Sequence, residues 1–165
     1  MKKLLLCPLL FLSFAQAESF HCKVINIIDG NNITCITENE KQTKVKLYQI
    51  NAPENNQAYG QRAKQALTDM IFGKTVRIEK MGLDRYKRTL GVIMTYNRIP
   101  CKSAPPDEPQ PFGCYYLTNI NLEMIKQGYA RFDASHGENP EYQQAEQDAR
   151  AAKRGLWTDK DVISP

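Results

Sequence analysis

The stretch Lys44–Glu54, KVKLYQINAPE, constrains the fold of this chain more than any other. Val45 and Leu47, with Gln49 after them, fall on one side of an alternating pattern, and Lys44, Lys46 and Tyr48 fall on the other. A period of two marks a strand with one face buried. Ala52-Pro53 stops it, because proline has no N–H for a ladder and pushes the residue before it towards an extended or turn conformation. A strand over 44–50 therefore delivers Lys46, Asn51 and Glu54 to a rigid edge and its immediate exit. Groups that grip phosphate or activate water are often held in such a place.

The rest of the chain extends this pattern. Phe20–Ile28 and Ile33–Thr37 read as strands around Asp29-Gly30-Asn31-Asn32, a turn sequence, so a hairpin is predicted there. A second polar turn at Glu38–Lys41 leads into the Lys44 strand and completes a meander. The period then changes. Ala63, Ala66, Leu67, Met70 and Ile71 follow the i, i+3, i+4, i+7, i+8 spacing of one helix face, with Gly73 as the stop. Thr75–Lys80 and Arg88–Tyr96 are strands joined by residues 82–87. Residues 97–116 hold five prolines and two cysteines and read as an irregular loop pinned by a disulfide. Asn121 caps a short helix containing Leu122, Met124 and Ile125, ended by Gly128. Asn139-Pro140-Glu141 opens a longer helix running to about Arg154, with Gly155 as its stop and Trp157 packing back on the body. The predicted order is βββαββαα, an α+β but mainly β domain. Five short strands interrupted by one helix suit a small closed barrel of the OB type.

The 165 residues suffice for one domain with a core, assigned to 18–165. Residues 1–17 read as a signal peptide: a basic start at Lys2-Lys3, an apolar run from Leu4 to Phe14, and a small-x-small cleavage site at Ala15-Gln16-Ala17. The run is too short for a membrane span, so export to the periplasm or the medium is expected, with no membrane association afterwards. Cleavage removes two lysines and no acid, taking the formal charge from +4 to +2. That balance permits a polyanionic partner without arguing for one. Four cysteines remain, Cys22, Cys35, Cys101 and Cys114, an even number that reads as two disulfides in an exported chain. Three pairings are open; Cys22–Cys35 and Cys101–Cys114 are favoured because each closes a short local loop. No CxxC or Cys/His cluster suggests zinc, and no interface is evident, so a monomer is expected.

Five blocks, in order, carry a resemblance: Val24–Asn32 (VINIIDGNN), Val45–Glu54 (VKLYQINAPE), Asp84–Leu90 (DRYKRTL), Asn121–Ala130 (NLEMIKQGYA), and the terminal helix with Gly155-Leu156-Trp157. Together they resemble the staphylococcal nuclease (thermonuclease) family over nearly all of the mature chain. The resemblance implies an OB barrel with three helices and a calcium-dependent phosphodiesterase that cuts DNA and RNA with little base preference. Such chemistry needs an oriented water, charge compensation on a pentacovalent phosphorus, and help for the leaving oxygen. By position, Glu54 matches the glutamate that activates or orients water. Arg88 matches one of two catalytic arginines, and Arg85 and Tyr86 match positions near the substrate.

Three matched positions depart from the family pattern. Lys46 stands where the other arginine is expected, keeping the charge but losing the two-pronged grip on phosphate. Asn31 and Asn51 stand where two calcium-binding aspartates are expected. Only the backbone carbonyl of Ala52 is unaffected, while Asp29 survives one step away as a substitute carboxylate. An asparagine offers calcium an oxygen but no charge, so weakened binding is expected. The alternative class is a catalytically impaired OB module that binds nucleic acid or protein; a third reading keeps the fold and cuts with its cations alone.

Overall fold

The computed structural model describes residues 18–99 and 114–158. The predicted signal peptide and Cys101 lie outside them. The elements are β1 (Ser19–Ile27), β2 (Asn32–Thr37), β3 (Gln42–Leu47), β4 (Ile50–Asn51), α1 (Gly60–Ile71), β5 (Thr75–Leu83), β6 (Thr89–Ile99), β7 (Cys114–Asn119), α2 (Ile120–Lys126), β8 (Arg131–Phe132) and α3 (Pro140–Ala151). Single 3-10 turns lie at Ala134–His136 and Gly155–Trp157.

The strands form a sheet in the order β3-β2-β1-β5-β6-β7, and β3 also pairs in parallel with β6. That pairing closes β1, β2, β3, β5 and β6 into a ring, the predicted five-stranded OB-type barrel. Apolar side chains at alternate positions fill it: Val24, Ile33, Val45, Ile78 and Ile93 are all at most 1% exposed. Cys22 and Cys35 are bonded across β1 and β2 as expected, with Cα atoms 5.6 Å apart. Cys114 is also disulfide-bonded; the predicted pairing with Cys101 falls outside the described residues.

Three further strands amend the predicted order. β4 and β8 pair with each other as a two-residue ribbon. The predicted strand over 44–50 is thus two strands, broken where Gln49 takes a left-handed conformation at φ 56°. The predicted irregular loop 97–116 is ordered at both ends, because β6 runs on to Ile99 and β7 pairs with it from Cys114. Pairing needs only extended backbone, and the prolines all lie between the two strands.

One edge of β6 serves two partners, β3 at Thr89–Gly91 and β7 from Met94 onward. Asn121 closes the gap between them. Its Oδ1 accepts the Ile93 N–H at 3.1 Å, and its Nδ2 donates to the carbonyls of Tyr48 at 2.9 Å and Gly91 at 3.1 Å. The cap of α2 is instead Asn119, whose side chain accepts from the Leu122 N–H. The predicted capping role of Asn121 is therefore corrected: it is a fully buried polar bolt. α3 starts at the predicted Asn139 cap but ends at Ala151, short of Arg154. Trp157 is buried, with the Arg150 guanidinium 3.9 Å from its ring centroid.

Candidate active site

The β1–β2 turn is built by its own side chains. The Asp29 carboxylate accepts the Asn31 N–H at 2.7 Å and both its oxygens accept from Asn32 Nδ2, at 2.9 and 3.0 Å. Such short-range acceptance is why Asp and Asn favour tight turns. Gly30 has no room for a side chain: a Cβ there would stand 2.7 Å from the Ala63 Cβ and 2.9 Å from the Ala52 Cβ. The turn is thus wedged against α1 and against the exit of β4, which brings Asp29–Asn32 beside Asn51 and Ala52.

Asn32 continues the chain of contacts. Its Oδ1 accepts from Arg88 Nη1 at 2.8 Å, while Arg88 Nε donates to Asp84 Oδ2 at 2.6 Å. Asp84 Oδ1 accepts the backbone N–H groups of Tyr86 and Arg88, folding the β5–β6 turn around itself. Burial pushes the Asp84 carboxyl up. The Arg88 N–H, the Arg88 guanidinium and the Tyr86 N–H outweigh that, and the group sits below the usual carboxylate value. Arg88 is therefore held from both sides, by an anion and by an amide. Tyr86, 65% exposed, lies against two cations, the Arg85 guanidinium at 4.8 Å and that of Arg88 at 5.4 Å from its ring centroid.

Lys46 is the cross-strand partner of Asn32 and of Leu90, and both Lys46 and Asn32 are half-buried. Cross-strand partners share a face, so Lys46, Asn32 and Arg88 gather on one side of the barrel. Beyond Lys46 lies Asp133. Burial raises its carboxyl, but hydrogen bonds from Ser135 and the positive charges of His136 and Lys46 bring it below the ordinary value. His136 packs edge-on against Tyr48 at 5.2 Å, and its Nδ1 lies 2.9 Å from Ser135 Oγ.

Glu54 is exposed. Its backbone is fixed by Gln57, whose side chain accepts the Glu54 N–H at 2.8 Å and whose own N–H reaches the Glu54 carbonyl at 2.9 Å. Asn55 Nδ2 donates to the Ile28 carbonyl at 2.9 Å, tying this loop to the start of the β1–β2 turn. Gly60 packs so closely on the Glu54 carbonyl that a Cβ there would overlap it. Asn55 and Gly60 thus hold the loop that carries Glu54 against the start of the β1–β2 turn and the first residue of α1.

The donors available to a metal are all oxygens: the Asp29 carboxylate, the amide oxygens of Asn31 and Asn51, and the Ala52 carbonyl. That set suits calcium or magnesium and not zinc. Asn31 is 5% exposed, and its Oδ1 is buried without a hydrogen-bond partner. A buried acceptor without a donor is costly, and a cation or a water bound to one would satisfy it. The residues therefore fit a hard cation, at low charge: among the described residues, no three His, Cys, Asp or Glu side chains cluster to hold one. Asn51 is exposed on β4, opposite Arg131.

Sequence reasoning missed the links more than the ends. The bracing of Arg88 by Asp84 was not read, although Asp-x-x-x-Arg over a turn carries the signal for it. Asn32 was read only as a turn former. Asp133 and His136 carried no local signal, since what sets them beside Lys46 is the pairing of β4 with β8.

The family model for staphylococcal nuclease homologues matches residues 44–159. An uncharacterized endonuclease of Haemophilus influenzae is 39% identical over 99% of this chain and 83% of its own length. A micrococcal nuclease of Shigella flexneri is 35% identical over 94% of this chain and 84% of its own. The protein ParB of Escherichia coli is 37% identical over 87% and 75%. With the barrel, the wedged turn and the braced arginine in place, this chain belongs to the staphylococcal nuclease family of hydrolases.

Proposed function

We propose that this protein is an exported endonuclease that hydrolyses phosphodiester bonds in DNA and RNA with little sequence preference. The observation that carries the reading is Arg88, clamped by Asp84 and Asn32 on the face that also bears Lys46. A fixed arginine beside a lysine offers a phosphate diester positive charge, and the arginine's share needs little reorganisation as the phosphorane forms. Glu54 orients and deprotonates the attacking water, Lys46 and Arg88 stabilise the equatorial oxygens, and Arg85 with Tyr86 holds the adjacent nucleotide. Asn31, Asn51, the Ala52 carbonyl and Asp29 are the residues that would hold calcium, which when bound polarises the phosphate and the water. The basic start, apolar run and small-residue site over 1–17 support cleavage of a signal peptide. The Cys22–Cys35 disulfide supports an oxidising compartment, periplasm or medium. No helix among the described residues is long and apolar enough to cross a membrane. We take the mature protein to be a monomer.

A second reading has its own support. The sparse negative charge of the metal site favours a weakened catalyst that retains nucleic-acid binding. One titration separates the two: cleavage of single-stranded DNA against calcium, for the natural chain, Glu54→Gln, and Asn31→Asp with Asn51→Asp. The first reading expects calcium-dependent cleavage lost in Glu54→Gln, with half-activation at tenfold or more lower calcium in the double variant. Binding with no cleavage at any calcium concentration overturns it in favour of the second.

A further inference from the structure

We infer that the outer face of the barrel carries a second contact surface for single-stranded nucleic acid, built on His21, Tyr96 and Tyr115. The inference goes beyond the cleavage site, and rests on the proposed function only in taking a polynucleotide as the ligand. The three rings come from β1, β6 and β7. His21 stacks on Tyr96, with centroids 5.9 Å apart and planes at 27°, and its Nε2 lies 2.9 Å from the Tyr96 hydroxyl. Tyr115 meets Tyr96 edge to face at 6.4 Å. The tyrosines stay 44% and 50% exposed, so both keep ring surface open to water, while His21 is half-buried.

Cations flank the rings. Arg98 is the direct cross-strand partner of Tyr115 and lies two residues from Tyr96, so it shares their face; Lys23 stands in the same relation to His21. Both are exposed, and neither has an ion-pair partner among the described residues. Glu79, on the same face of β5, is bound to Arg77. Rings flanked by exposed cations match a strand of bases on a phosphate backbone, where stacking tolerates any base and the cations follow the charge. A protein partner would ask for carboxylates at two isolated points and explains the ring stack less well.

The surface is remote from the cleavage site. Arg88, just before β6, and Tyr96 within it are eight residue steps apart, roughly 26 Å at a strand's rise. A dinucleotide occupies only the cleavage site, whereas a chain of about thirty nucleotides reaches both.

The test is fluorescence anisotropy with a labelled thymidine homopolymer of about thirty nucleotides, in chelator, using Glu54→Gln as background so that the probe survives. Tyr96→Ala with Tyr115→Ala is expected to weaken binding tenfold or more. Tyr96→Phe with Tyr115→Phe, which keeps the rings, is expected to bind as the background does, and Arg98→Gln is expected to flatten the salt dependence. Binding of the dinucleotide should not change in any of them. Unchanged affinity in the double alanine variant, equal loss for both probe lengths, or no binding of the long probe at all would overturn the inference. So would a shift of sedimentation mass without a change in binding, which would assign the face to self-association. If the natural chain binds the long probe through these rings but cuts nothing with any divalent cation, the nuclease reading fails and this one stands.

Discussion

Asn121→Leu tests how the barrel accommodates a strand with two partners on one edge. The asparagine is fully buried and serves three backbone groups. Leucine is similar in size but removes all three bonds. The Gly91 carbonyl retains the Tyr48 N–H at 2.9 Å, which leaves the Ile93 N–H and the Tyr48 carbonyl without partners. At about 1–3 kcal/mol for each orphaned buried group, the loss is roughly 4 kcal/mol. A domain with about 5–15 kcal/mol in hand would survive it, weakened. For this size the melting midpoint should fall by about 12 °C, at roughly 3 °C per kcal/mol. Urea unfolding with the disulfides intact measures the difference, provided the slope is unchanged. Asn121→Asp supplies a control of the opposite character. It keeps the acceptor for Ile93 but buries a carboxyl whose folded pKa is raised above its unfolded value. Its stability should therefore be best at low pH and fall as pH rises through that folded pKa. A loss below about 1 kcal/mol in Asn121→Leu would refute the reasoning, because it would mean that the gap in the β6 edge closes without the amide.

Two further outcomes concern the candidate site. Asn32→Leu cuts the bond to Arg88 Nη1 and both bonds to Asp29; hydrogen bonds to charged groups are worth about 1.5–3 kcal/mol, so the melting midpoint should fall and kcat/KM of the folded protein on single-stranded DNA should drop about tenfold to a hundredfold. An unchanged rate would show that Asp84 alone suffices to place the arginine. Asp84 has a folded pKa below its ordinary 3.8, so the stability it contributes is present above that value and is lost as pH falls through the lower, folded pKa. The Arg88 Nε–H resonance should thus hold its position down to about pH 4 and shift only in stronger acid, and Asp84→Asn should show the shifted position at neutral pH.

The barrel was legible because each of its five strands keeps a local signature. Alternation at Val45 and Leu47, turn residues at Asp29–Asn32, and a helical period from Ala63 to Ile71 are all properties of neighbouring residues. β4 and β8 were not legible. Two residues are too few to show a period, and what makes them strands is each other's backbone, about eighty positions away. β7 was hidden by the prolines beside it, which led the whole of 97–116 to be read as loop. Asn121 misled for a related reason: asparagine before Leu122 and Glu123 looks like a cap, and only the partner switch along β6 reveals why its amide is needed inside. At the site the sequence named Asp29, Lys46, Glu54 and Arg88 as candidates, and Asp29 and Arg88 lie at the two ends of one hydrogen-bonded chain. The middle, Asn32, was not named, because an amide that both donates and accepts looks the same in a turn as in a relay.

The electrostatics of the lip follow from which charges are already spent. Asp84 is committed to Arg88, and Asp133 lies in the field of Lys46 and His136. Asp29 is occupied by three N–H contacts from its own turn. Arg85 and Lys46 have no ion-pair partner within 4 Å among the described residues. With amides in place of acids at Asn31 and Asn51, the balance is shifted towards a phosphate and away from a divalent cation. On the proposed reading, affinity for the polynucleotide therefore depends little on calcium, while turnover depends on it steeply, since the nucleic acid docks on cations that need no metal. Restoring a carboxylate at Asn31 acts on both sides of this balance. It gives a cation a charged ligand at a buried oxygen that now has no partner, and in the absence of metal it sets a second negative charge beside Asp29. The variant should then bind substrate more weakly in chelator and cut it at lower calcium, two opposite movements that a purely structural role for Asn31 would not produce.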